Sequence, residues 1–119
     1  MPATVHELTR VELLAGLPGE QLAQLAGRLE REDVSPGSAV VRQGEPGDRF
    51  YIVLSGMLNV TQEERGERRL LRPGDSFGEV ALAMGIPRTA SVRAVTPAVV
   101  ASCDQATFDE LLRPLFADE

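Results

Sequence analysis

Two regimes of hydrophobic spacing divide this chain. From Thr4 to Leu14, Val5, Leu8, Val11 and Leu14 recur at three-residue steps with His6, Glu7, Arg10 and Glu12 between them, which predicts one helix with a buried stripe. Gly16 and Pro18 end it. A second helix is predicted from Gly19 to about Arg28, turning Leu22, Leu25, Ala26 and Leu29 inward. After Leu29 the pattern changes to short apolar runs broken by Pro, Gly and Asp, as in a compact all-β barrel or roll. Strands are expected near Glu30–Val34, Ala39–Arg42, Arg49–Ser55, Met57–Gln62, Arg68–Arg72, Ala90–Val95 and Val99–Cys103. Turns fall at Pro36-Gly37, Glu45-Pro46-Gly47-Asp48, Arg65-Gly66 and Pro73-Gly74-Asp75, where Pro presets φ or Gly admits positive φ. Gly47, Gly56 and Gly74 are expected at tight corners and Gly44 at a bulge, none with a direct ligand role. Asp104 is an apt N-cap for a last helix through Phe108, Leu111 and Leu112, broken near Pro114.

Within the β region, Phe77 to Val95 departs from strand patterning. Gly78 lets the backbone enter a helical turn at close quarters, and Glu79-Val80-Ala81-Leu82-Ala83 favour helix until Gly85 stops the run. So short a helix offers little as scaffold. Its first amides, near Gly78, Glu79, Val80 and Ala81, are unpaired donors at the positive end of the helix dipole and suit a phosphate. Pro87 forces an extended exit, after which Arg88 presents a planar fork of donors and Thr89 a hydroxyl. Glu79 would repel that anion unless its carboxylate turns away to accept from a neighbouring hydroxyl, such as a ribose 2′-OH. The set implies a phosphate joined to a sugar.

At these residues the sequence resembles the cyclic nucleotide-binding domain family. FGEVAL, AMGI and PRTASV (77 to 92) match its phosphate-binding cassette, FGE-[LIV]-AL followed by a few variable residues and PR-[AT]-A-[ST]-V. The resemblance extends to QGEPGDRFYIVLSGMLNV (Gln43 to Val60) and to RPGDSFGE (Arg72 to Glu79), and LLAGLPGEQLAQLA is similar to the family's helical entry. It implies a mainly β fold, an eight-stranded jelly-roll-like β-roll with flanking N- and C-terminal helices and a short cassette helix. It implies a single domain: helices over about 4–29, the roll over about 30–103 with the cassette at 77–92, and a C-terminal helix over about 104–117. The helix that folds over the base as a lid in the family is expected to be missing or truncated.

By the same resemblance the ligand is cAMP or cGMP, with no other cofactor and no metal. Arg88 would bind the equatorial phosphate oxygens, Glu79 the ribose 2′-OH, and Gly78, Val80 and Ala81 would lend backbone N–H groups; Phe77 and Ala90 complete the ligand-binding set. Thr89 stands where family members that respond to cGMP often carry threonine, yet many bacterial domains with threonine there use cAMP, so the base stays open. Val60, Leu71 and Arg69 either line a base pocket or are core residues and a solvated arginine. The function implied is a regulatory sensor that passes occupancy to an effector domain or partner protein. The alternative is a degenerate, non-binding domain of the same fold that serves as a protein-interaction module.

Composition narrows the field further. A chain of 119 residues is one domain's worth, and its net charge of −6, with every basic residue an arginine, argues against direct DNA binding. A single histidine cannot build a metal-dependent barrel enzyme, and no Ser-His or Cys-His pair suggests nucleophilic catalysis, so the expectation is a non-enzyme without catalytic residues. No apolar run is long enough to span a bilayer and no signal segment opens the chain. The lone Cys103 fits a reducing, cytoplasmic setting.

Overall fold

The computed structural model describes residues 1–116. Eight antiparallel strands form two four-stranded sheets: β1 (Glu30–Val34), β8 (Ala98–Asp104), β3 (Arg49–Ser55) and β6 (Ser76–Phe77) in one, and β2 (Ala39–Val41), β7 (Ser91–Ala94), β4 (Leu58–Gln62) and β5 (Gly66–Leu71) in the other. This is the mainly β, eight-stranded roll with flanking helices that the family resemblance implies, seven of whose strands the hydrophobic pattern itself predicts. Two of the predicted strands, β1 and β3, carry the predicted bounds. The strand missing from the sequence reading is β6, which is two residues long and too short to show alternation.

Strands β3 and β8 organise the core because both of their faces are covered. Phe50, Ile52, Ala101 and Cys103 point toward the helices, whereas Tyr51, Val53, Ala98 and Val100 point into the roll against Leu58, Leu71, Phe77 and Val92. Their near-continuous apolar runs follow from that double burial. Cys103 packs inward as expected, and burial pushes its thiol pKa up to about 11, which leaves it protonated and unreactive at neutral pH.

The predicted first helix does not run unbroken to Leu14. It stops after α1 (Val5–Leu8), turns at Thr9-Arg10, and resumes as a 3₁₀ helix over Glu12–Gly16. The physical reason lies in the spacing: strict three-residue steps drift round an α-helix but align on a 3₁₀ turn, so Leu8, Val11 and Leu14 are buried while Val5 is left exposed. Thr4 and Glu7 form a capping box that starts α1, and the Thr9 hydroxyl donates to the His6 carbonyl where it ends. The second helix, α2, runs over Gly19–Arg28 as predicted, burying Leu25 and Ala26.

Gly44 marks a turn rather than a bulge. The Glu45 amide donates to the Arg42 carbonyl, with Gly44 at φ 89 inside that turn, while the register shifts lie at Ala39/Val41, Val53/Ser55 and Val60/Thr61.

The C-terminal helix also differs from its prediction. Asp104 caps α4 (Gln105–Thr107) through Oδ1, but the chain then widens into a π turn over Phe108–Leu112 and tightens to 3₁₀ over Arg113–Phe116, passing through Pro114 without a break. Pro114 has no N–H to donate to the carbonyl four residues back and its ring clashes with that carbonyl in a regular α-helix, which disfavours an α-helical turn at this place. Phe116 packs on Phe50 and Phe108 at centroid distances of 5.7 Å each. Residue 117 of the predicted helix, and the expected truncation of a lid, lie outside the described residues.

Asp104 provides a check on this end of the molecule. The Thr107 amide, then its hydroxyl, hold the Asp104 carboxyl below its ordinary pKa. A depressed carboxyl contributes stability that is present above its unfolded pKa and lost as pH falls through the folded one. Asp104→Ala is expected to cost about 1 kcal/mol at pH 7, and its deficit against wild type should shrink below roughly pH 4. Thermal denaturation of both proteins across that range tests it; a deficit that stays constant to pH 2 would contradict the ionised cap.

Candidate functional site

The helix α3 (Glu79–Met84) and the segment after it connect β6 of one sheet to β7 of the other. Both ends of this helix are set by glycine: Gly78 precedes it at φ 101 and Gly85 follows at φ 66. No side chain caps its N-terminus, and the amides of Glu79, Val80 and Ala81 have no carbonyl four residues back within the helix. Leu82 anchors it in the helical core, and the Gln105 side chain donates to the Leu82 carbonyl at 3.1 Å, tying α3 to the C-terminal helix. The outer face shows apolar Val80, Met84 and Ile86 to solvent.

Arg88 is buried, with only 6% of its surface exposed. Its guanidinium donates from Nη2 to the Arg49 carbonyl at 2.8 Å and from Nη1 to the Gly78 carbonyl at 3.3 Å, and it lies 5.8 Å from the Tyr51 ring centroid. No carboxylate pairs with it among the described residues. Burial lowers the Arg88 pKa, an effect opposed by the nearby Tyr51, Asp48 and Glu79; burial in turn raises that of Tyr51, against the pull of Arg88. Guanidinium remains charged at neutral pH all the same. The result is a buried cation whose direct hydrogen-bond partners are the carbonyls of Arg49 and Gly78, with the Tyr51 ring beside it and the carboxylates of Asp48 and Glu79 acting only at longer range.

A cavity of about 230 Å³ opens beside this guanidinium. The residues singled out from the sequence, Phe77, Gly78, Glu79, Val80, Ala81, Arg88, Thr89 and Ala90, all line it, although they come from β6, α3 and the loop before β7. Val60, Arg69 and Leu71 form the opposite wall. Val60 and Arg69 are directly paired across β4 and β5, Leu71 is fully buried, and Arg69 is exposed at the rim. The alternatives left open there are therefore not exclusive, since Leu71 is a core residue with one face on the cavity.

Three lining residues escaped the sequence reading: Val41, Ser76 and Val92. Val41 and Val92 are register partners on β2 and β7 whose inward alternation was available as a signal. Ser76 sits on the two-residue β6, which carries none. A phosphate-sized anion entering the cavity would meet the buried guanidinium on one side and the first amides of α3 on another, with an apolar wall left for a ring. Among the described residues no cluster of His, Cys, Asp or Glu is placed to hold a metal, and no helix is long and apolar enough to cross a membrane.

Residues 31–114 match the family model described as the cyclic nucleotide-binding domain. The chain is 42% identical over 109 residues to a cAMP-dependent protein kinase regulatory subunit of Yarrowia lipolytica, covering 91% of this chain and 29% of that one. It is 35% identical over 114 residues to the cGMP-dependent protein kinase egl-4 of Caenorhabditis elegans, covering 91% and 15%. The chain thus spans less than a third of either relative. Among solved structures, the regulatory domain of Toxoplasma gondii PKA with cAMP superposes with a TM-score of 0.90 at 32% identity, covering 94% of this chain and 45% of that one. The regulatory subunit of a cAMP-independent protein kinase A from Trypanosoma cruzi, bound to guanosine, gives 0.87 at 28% identity, covering 93% and 41%.

Proposed function

Because this chain belongs to the cyclic nucleotide-binding domain family, we propose that the cavity beside Arg88 takes cAMP or cGMP and that the domain works as a sensor without chemistry of its own. The observation that carries this reading is the buried Arg88 guanidinium, which has carbonyl partners but no carboxylate among the described residues. A cyclic phosphate supplies one negative charge and two free oxygens to that fork, and the amides of Val80 and Ala81 complete its coordination. Glu79, half-buried on the same cavity, accepts from the ribose 2′-OH, and Thr89 donates its hydroxyl to the phosphate or to the base. Val60, Leu71 and Arg69 face the base.

Occupancy leaves the site through α3. Drawing the cassette inward shifts Leu82, whose carbonyl is held by Gln105 at the start of the C-terminal helix, so the two elements move as one packed unit. The effector we favour is a protein kinase, since one of the relatives named above is the regulatory subunit of a cAMP-dependent protein kinase and the other is a cGMP-dependent protein kinase.

Thermal denaturation with and without nucleotide tests the reading. A ligand that binds only the native state at 100 times its Kd adds about 2.7 kcal/mol of stability, so the midpoint should rise by several degrees with cAMP, cGMP or both. Midpoints unmoved by millimolar concentrations of either would set the sensor reading aside in favour of an interaction module.

A further inference from the structure

Gly47 lies in the turn between β2 and β3, the QGEPGD segment, and its role is not that of a turn glycine. It is absent from the positive-φ glycines, so its backbone conformation does not exclude a side chain. Space does. A Cβ at Gly47 would lie 2.4 Å from Ala81 Cβ on the cassette helix, 2.9 Å from Arg88 Nε and 3.0 Å from Arg88 Cζ. The same turn clasps Arg88 by its backbone, with the Gly44 amide donating to the Arg88 carbonyl and the Arg88 amide to the Glu45 carbonyl, each at 2.8 Å.

We propose that Gly47 is a positioning residue for the phosphate site. Resting on the sensor reading above, the inference is that the bare face of Gly47 is the surface on which Ala81 and the Arg88 guanidinium are seated together. The turn fixes the Arg88 peptide from one side, the carbonyls of Arg49 and Gly78 fix the far end of its side chain, and Gly47 leaves the room between. A methyl group at residue 47 must displace the helix carrying the Ala81 amide, the guanidinium, or the turn whose backbone clasps Arg88, and each of these moves Arg88 relative to the α3 amides. A well-packed contact of this kind tolerates no added carbon without movement.

The test compares wild type, Gly47→Ala, Ala81→Gly and the double variant by calorimetric titration with cAMP and cGMP. The Arg88 Nε–Hε resonance is followed by NMR in the ligand-free proteins, assigned by its absence from Arg88→Ala. Gly47→Ala should weaken nucleotide binding by about tenfold or more, the scale of an overpacked contact, and shift the Arg88 resonance before any ligand is added. The double variant, which removes the Ala81 methyl that the new Cβ meets, should recover part of the affinity and return the resonance toward its wild-type position, while Ala81→Gly alone shows no gain. Unchanged affinity with an unmoved Arg88 resonance in Gly47→Ala would overturn the proposal. Should wild type bind neither nucleotide, the sensor reading fails, and the resonance alone decides whether Gly47 positions Arg88. If Gly47→Ala does not fold, a double variant that folds with a wild-type-like Arg88 resonance supports the proposal, and one that also fails to fold overturns it.

Discussion

Replacing Arg88 with alanine is expected to remove nearly all affinity for a cyclic nucleotide while leaving the fold in place. The guanidinium is buried, its direct partners are the carbonyls of Arg49 and Gly78 and the face of Tyr51, and the carboxylates of Asp48 and Glu79 act on it without an ion pair among the described residues. Without a carboxylate in direct contact among the described residues, the part of the guanidinium that lines the cavity suits an arriving phosphate. Truncating one partner of such a desolvated pair costs about 2–5 kcal/mol, or roughly 30-fold to several thousand-fold in Kd. Lysine should not restore it, because a point charge on a flexible stem cannot make the two-pronged contact. Stability should move less than affinity. Losing the donors to two carbonyls is destabilising, but removing a buried, unpaired cation relieves a desolvation penalty of the opposite sign. Titration and ligand-free thermal denaturation of the same preparations separate these effects; affinity unchanged in Arg88→Ala would remove the mechanism.

Gly78→Ala should be nearly as damaging by a different route, because it strikes the fold and the site together. At φ 101 the backbone is in the left-handed region, where an L side chain costs about 1–2 kcal/mol. A Cβ there would lie 2.9 Å from the Arg49 carbonyl and 2.9 Å from Arg88 Nη1. The oxygen it meets belongs to β3, a strand buried on both faces that cannot retreat. Strain and overpacking together should destabilise the protein by about 2–5 kcal/mol. Any molecules that remain folded should bind poorly, since the residue that turns the chain into α3 also sets the direction of its first amides. Denaturant titration and nucleotide titration measure the two losses; a variant with wild-type stability and wild-type affinity would show that Gly78 is not needed at this approach.

Much of this was legible in the sequence because local chemistry and global fold agree at the motifs. FGEVAL followed by PRTASV specifies a short helix start, a proline exit and an arginine within one span, and the fold has only to close the roll for these to share a cavity. Strand β3 could be read to the residue from its apolar run ended by Ser55-Gly56, whereas β1, four charged residues and Val34, was bounded only by the end of α2 and the Pro36-Gly37 turn. What was not legible depends on contacts between segments far apart in the chain. Nothing near Gly47 in sequence shows that Ala81 and Arg88 press against it, so it reads as one more corner glycine. Strand β6 exists because Tyr51 and Ile52 offer it hydrogen-bonding partners, not because two residues announce a strand. The break after Leu8 and the π turn before Pro114 are choices among closely spaced helical geometries, which a hydrophobic pattern near three to four residues does not separate. Val60, Leu71 and Arg69 could not be sorted between wall and core from spacing, since Leu71 turns out to serve both.

The central claim is that the cavity takes a cyclic nucleotide through the buried Arg88, and one paired measurement tests it most directly. Isothermal titration calorimetry of wild type and Arg88→Ala with cAMP and cGMP, in one buffer, should give saturable one-to-one binding at micromolar affinity or tighter for at least one nucleotide in wild type, lost in the variant. Absence of binding to wild type, or equal binding to both proteins, would contradict it.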